Sequence, residues 1–213
     1  MSKPRKVVVT KQRTVHTYAE LWHASDCLLA AGIENPEGST FQFLSSAILT
    51  AFAFESYLNH VGLATFTCWE QLDRLPPWSK MELLCEELGV AFPDGIGARP
   101  LQTIAKLLNF RNTIAHGRLQ EIKAKPIMRT TENYYSAYHE ELLTDWERLV
   151  QTDKFAKRAR EDVRDVLQRS EQRGRESFIG RSGAIKTPHP FYPRQKTRAP
   201  HLMRSSLIIV RGH

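Results

Sequence analysis

Hydrophobic residues recur three or four positions apart from Thr17 to about Arg173, the spacing of helices that bury one face. Thr17 caps an expected first helix through Tyr18, Leu21, Leu28 and Leu29, with Gly32 as its stop. Asn35-Pro36-Glu37-Gly38-Ser39 reads as a loop. Ser39 or Thr40 then caps a second helix reaching roughly Val61, with Phe41, Leu44, Ile48, Ala51, Glu55 and Leu58 along one stripe. Leu75-Pro76-Pro77 interrupts the pattern, and a short third helix runs from Trp78 to Leu88 before Gly89. Pro100 suits the first position of a fourth helix carrying Leu101, Ile104, Leu108, Arg111 and Ala115, which stops near His116-Gly117.

A fifth helix is expected over Glu132 to Val150, with Tyr135, Tyr138, Leu142, Trp146 and Leu149 on one face. A sixth runs from Asp153 to about Gln172, highly charged, with little beyond Phe155, Val163, Val166 and Leu167 to bury. From Gly174 onward Arg, Lys, Ser, Pro and His replace the periodic apolar residues. That composition predicts a flexible tail, although Ser206-Leu207-Ile208-Ile209-Val210 suits a strand.

These elements predict an all-α bundle of four to five core helices with basic extensions at both ends. The expected segments are a basic arm over 1–16, a helical domain over 17–150, a charged helix over 151–173 and the tail over 174–213. Charge sharpens this division. Residues 1–16 carry five basic residues and no acid, 17–150 ten basic and seventeen acidic, and 151–213 fifteen basic and six acidic, within an overall charge of +7. An acidic centre repels nucleic acid, whereas basic arms recruit it through phosphate contacts. Arg175, Arg181, Lys186, Arg194, Lys196 and Arg198 are the tail's candidate contacts, with Phe178, Phe191 and Tyr192 available to stack on bases. A solubilising tail, or one that binds an acidic protein or wraps a second subunit, is the alternative.

Cys27, Cys68 and Cys85 are odd in number and far apart, so neither a disulfide framework nor a cysteine zinc site is expected. The most apolar stretch, Ala47 to Phe54, falls well short of the roughly 20 residues that span a bilayer. The basic start leads into only three valines, too short for a signal peptide. A cytoplasmic protein with no membrane partner, metal or cofactor is the expectation. HExxH, the P-loop pattern and GxSxG are absent. His23, His60 and His139 sit in expected helices without a ligand pattern, and His189, His201 and His213 lie in the tail.

Two apolar stripes each contain one charge, Glu55 in the second helix and Arg111 in the fourth. A lone charge facing a core or partner is strongly disfavoured, and a carboxylate facing a guanidinium resolves both costs. The pair is either structural or part of a site, or Glu55 simply lies at the wet edge of its stripe. His116 falls at a helix end, where the negative end of the helix dipole suits a proton-carrying ring. It is either a capping histidine or a general acid or base. In a straight helix five positions separate it from Arg111 by about 140°, so the two share a face only if the helix ends or tightens first.

Leu107-Leu108-Asn109-Phe110-Arg111-Asn112-Thr113-Ile114-Ala115-His116-Gly117 resembles the Arg-x4-His segment of the HEPN superfamily, with a polar residue after the arginine. Ala51-Phe52-Ala53-Phe54-Glu55-Ser56-Tyr57-Leu58-Asn59 is similar to an earlier helix of the same superfamily. The resemblance covers roughly residues 17–150. It implies a dimeric, metal-independent endoribonuclease with Arg111, His116 and Asn112 as catalytic residues and Glu55 in support. It also implies RNA as substrate, a toxin or anti-phage defence role, and an antitoxin or other regulatory protein. The alternative function is a non-catalytic HEPN-like dimerising module that binds nucleotide, nucleic acid or a partner protein.

Overall fold

The longest apolar pattern becomes helix α2 (Thr40–Thr65), and the other helices assemble around it. The structure, a computed structural model, describes residues 8–123, 142–179 and 207–211, with side chains over 13–123 and 142–174. The remaining helices are α1 (Thr17–Glu34), α3 (Trp69–Leu72), α4 (Pro77–Leu88), α5 (Leu101–Ala115), α6 (Asp145–Val150) and α7 (Lys154–Ile179). The architecture is all-α, as the periodicity predicts. Phe43, Ala47, Phe54 and Tyr57 of α2 meet Ile104 and Leu107 of α5 and Val163 and Val166 of α7 in one continuous core.

Small polar residues fix how α1 lies on α2. Ser25 Oγ donates to the Ser46 carbonyl at 2.8 Å, and Ser46 Oγ returns a bond to the Ser25 carbonyl at 2.9 Å. Thr50 Oγ1 joins them, 2.7 Å from Ser25 Oγ. All three residues are buried, and their bonds offset the cost of desolvating their hydroxyls. Their small size lets the two backbones approach closely.

The charged segment after 150 contributes more to this same core than its composition suggests. α7 buries Phe155, Ala156, Ala159, Val163, Val166 and Leu167. It also buries Arg160 and Asp162, because both find partners on distant elements. Arg160 donates from Nη1 to the Trp22 carbonyl at 3.0 Å, pairs with Asp26 at 2.8 Å and lies 4.1 Å from the Trp22 ring centroid. Desolvation pushes its guanidinium down to about 10, against the opposing pull of Asp26. Asp162 accepts from Arg99 Nε at 3.0 Å and Nη2 at 2.7 Å.

Glycine separates expected from observed helix ends. Gly32 and Gly62 were natural stops, yet α1 runs on to Glu34 and α2 to Thr65. Both glycines serve close approach instead: a Cβ at Gly32 would lie 2.7 Å from Phe43 Cε1, and one at Gly62 would run into the Trp69 indole. Gly89 does terminate its helix, in the left-handed region at φ 65°, with Val90 N–H bonded to the Cys85 carbonyl at 2.8 Å. The one-turn helix α3 was not expected.

The expected helix over Glu132–Val150 is also corrected. Thr144 is extended, at φ −65° and ψ 163°, and forms a reciprocal capping box with Glu147, so α6 begins afresh at Asp145. Residues 132–141, with Tyr135 and Tyr138, lie outside the described residues. At the end of the chain α7 continues through Gly174 to Ile179, beyond its expected end. The strand expected near 206–210 forms as β2 (Leu207–Arg211), antiparallel to β1 (Val8–Gln12), with Val8 opposite Arg211 and Gln12 opposite Leu207. The expected flexibility over 180–206 concerns residues outside those described. Among the described residues no helix is long and apolar enough to cross a membrane.

Candidate functional site

The fourth apolar stripe becomes α5 and delivers the Arg-x4-His segment to one end of the bundle. Leu101, Ile104, Leu107, Leu108 and Phe110 anchor the helix in the core. Arg111 follows, at the border between core and solvent with its side chain 16% exposed. Its Nη2 donates to Glu55 Oε2 across the α2–α5 contact, and its Nη1 donates to Asn112 Oδ1 at 2.8 Å. The guanidinium carbon lies 5.7 Å from the centroid of the Phe52 ring. Arg111 Nε is buried without an acceptor among the described residues, and so is the Asn59 Oδ1 atom without a donor. Glu55 and Arg111 thus pair as their positions in two apolar stripes predicted.

A third charge joins them that the sequence reading missed. Lys80 lies on the buried face of α4 with Met81, Leu84 and Leu88, its side chain 2% exposed. Its Nζ is 4.0 Å from Glu55 Oε1, so one carboxylate faces two cations from two other helices. The signal was available, since Lys80, Leu84 and Leu88 follow a helical spacing of four, and a charge there repeats the pattern that exposed Glu55 and Arg111.

His116 is the C-cap of α5. Its backbone leaves the helix at φ −112° and ψ 30°, and its N–H bonds to the Asn112 carbonyl at 2.9 Å. The helix therefore ends before His116, the condition under which its ring is released from the regular spacing. The imidazole is exposed and makes no hydrogen bond or ion pair with another described residue. The structure thus brings Glu55, Arg111 and Asn112 into contact, with His116 one turn on at the open end of α5.

Exposed hydrophobic side chains lie beside this pair, on a face of α2 that also carries Ser45, Ser56 and Asn59. On α2, Phe41 is 74% exposed, Phe52 40% and Leu63 64%. Residues eleven apart on a helix fall within about 20° of one another, so these three share one face, with Ile48 and Glu55 beside it. The expected stripe through Phe41 and Leu44 therefore borders solvent, while the buried face centres on Phe43, Ala47, Thr50, Phe54 and Tyr57. A cleft of about 540 Å³ lies on another side of α5, lined by Lys106, Asn109, Thr113, Asp145 and Trp146 among others, and contains neither Arg111 nor His116.

Of the other candidates, Arg175 lies in α7 but its side chain is outside the described residues, as are Arg181, Lys186, Arg194, Lys196 and Arg198. His23 contacts Cys27 within α1, and His60 packs against Tyr18 and His16. Burial, and secondarily His16, pushes the His60 imidazole below its ordinary range. Among the described residues no three His, Cys, Asp or Glu side chains gather as metal ligands. Comparison of the chain with protein-family models, with curated proteins and with solved structures gives no match in any of the three.

Proposed function

We propose that this chain is a metal-independent endoribonuclease of HEPN type that acts as a homodimer. The observation that carries the reading is the Glu55–Arg111 pair set into an exposed apolar face of α2. Such a face favours burial against a second copy, which would bring two Arg111 and two His116 together. Arg111 keeps an unused hydrogen on each Nη atom beyond its bonds to Asn112 and Glu55, and an anionic oxygen would satisfy them.

In this reading the chain binds an RNA phosphodiester between the two copies. One His116 takes the proton of the 2′-hydroxyl as O2′ bonds to phosphorus. The partner's His116 gives a proton to the departing O5′ as the P–O5′ bond breaks. Arg111 neutralises the charge that develops on the phosphoryl oxygens. Asn112 fixes the guanidinium on one side and Glu55 fixes it on the other. The products are a 2′,3′-cyclic phosphate and a 5′-hydroxyl. The basic ends recruit RNA to an acidic centre, and a restraining partner protein accompanies a growth-arresting role.

The test is induced expression of wild type, Arg111→Ala and His116→Ala, with cellular RNA integrity as readout. RNA loss with wild type alone supports the reading. Intact RNA and equal growth for all three overturn it in favour of a non-catalytic binding module.

A further inference from the structure

Lys80 has no reason to be buried as packing alone. It occupies a position of α4 flanked by Met81 and Leu84, where a hydrophobic side chain of the same length would fill the space without desolvating a charge. Its flexible stem could carry the ammonium to water, yet the side chain is 2% exposed. Among the described residues Glu55 is the carboxylate within ion-pair reach, at 4.0 Å, an electrostatic contact longer than a hydrogen bond.

The arrangement is directional. Lys80 faces Oε1 of Glu55 and Arg111 engages Oε2, so cations from α4 and α5 grip opposite oxygens of a side chain on α2. A carboxylate held on one oxygen can still rotate or offer either oxygen to Arg111. Held on both, it presents one oxygen in one direction. Asn112 takes Nη1 at 2.8 Å, so the plane of the guanidinium is defined from two sides. Two cations on one carboxylate also leave the cluster with a surplus positive charge, and Arg111 is its more exposed cation.

We infer that Lys80 is a positioning residue: it locks the Glu55 carboxylate so that Arg111 presents a fixed guanidinium edge to an anionic substrate. The inference rests on the ribonuclease reading for its consequence, while the lock itself is measurable without turnover. Lys80 acts through Glu55 and touches no substrate.

The experiment uses the full-length chain as wild type, Lys80→Met and Lys80→Arg. Nitrogen-15 NMR of the Arg111 guanidinium reports rotation about its Cζ–N bonds, and RNA cleavage in EDTA gives kcat and KM. Wild type is expected to show slow rotation with separate Nη signals. In Lys80→Met those signals merge, and kcat falls at least about tenfold while KM stays within about twofold. The urea midpoint stays unchanged or rises, since an apolar isostere replaces a buried charge. Lys80→Arg restores both the separate signals and kcat. Wild-type Nη signals in a folded Lys80→Met protein overturn the lock, whatever the cleavage result. Merged signals with wild-type kcat overturn its catalytic consequence. A wild-type chain that cleaves no RNA removes the ribonuclease reading, and the NMR comparison then decides the lock alone. Should Lys80→Met fail to fold, Lys80→Gln carries the same comparison.

Discussion

Arg111 on α5 donates to Glu55 on α2, 56 residues earlier, and the bond crosses the border between core and solvent. Neither partner is fully buried, at 16% and 27% exposure, so the pair combines part of the strength of an interior ion pair with access for a ligand. Removing Glu55 leaves Arg111 and Lys80 facing each other without a counter-charge. Glu55→Ala is therefore expected to destabilise the fold by about 2 kcal/mol, between the values for surface and buried pairs. Urea denaturation measures it, and the double variant Glu55→Ala/Lys80→Met is expected to recover part of the loss.

The exposed face of α2 makes a second prediction. Phe41 and Leu63 lie at its two ends, far enough from Arg111 to be changed without touching the ion pair. Phe41→Glu combined with Leu63→Glu is expected to convert a dimer into a monomer of wild-type helicity. Sedimentation equilibrium checks this. A wild-type chain that is monomeric at tens of micromolar would contradict the dimer.

Gly62 tests the packing of the bundle's end. Gly62→Ala forces the buried Trp69 indole to move, and overpacking of this kind costs about 1–3 kcal/mol. Gly32→Ala meets the edge of the Phe43 ring at 2.7 Å, a contact that a small ring tilt relieves. Thermal unfolding is expected to show the larger drop for Gly62→Ala, together with a shifted tryptophan emission.

Cys85 gives the alkaline limb of stability. Burial, reinforced by Glu82, pushes its thiol up to about 11 from 9.0. Between those values the unfolded chain releases the proton and the folded chain keeps it. The folded state thus binds more protons there, and stability falls as pH rises from about 9 to about 11. Cys85→Ala is expected to flatten that part of the pH profile. At pH 8 the exposed Cys27 and Cys68 are expected to react with a thiol reagent faster than the partly buried Cys85.

Periodicity bounded by punctuation made α4 and α5 legible: Pro77 starts the one and Pro100 precedes the other, and Gly89 and the His116-Gly117 pair follow them. The same reasoning found Glu55 and Arg111 as charges within apolar stripes. It misplaced the buried face of α2, which buries Ser46 and Thr50 beside Phe43, Phe54 and Tyr57 while exposing Phe41, Phe52 and Leu63. Gly32 and Gly62 misled for a related reason: a glycine can end a helix by turning left-handed, as at Gly89, or serve as a notch for a neighbouring ring, and sequence does not distinguish the two. The burial of α7 was hidden because its Arg160 and Asp162 are neutralised by Asp26 and Arg99, both far away along the chain. Lys80 carried the same signal, a charge four positions before Leu84 on a buried stripe, and only its partner Glu55 on another helix needed the structure.

The most direct measurement is incubation of the purified chain with RNA in excess EDTA, followed by chemical mapping of the cut ends. Wild type is expected to cleave RNA and leave 2′,3′-cyclic phosphate and 5′-hydroxyl ends, and Arg111→Ala and His116→Ala are expected to leave it intact. RNA left intact by the wild-type chain, or cut equally by His116→Ala, would contradict the ribonuclease reading.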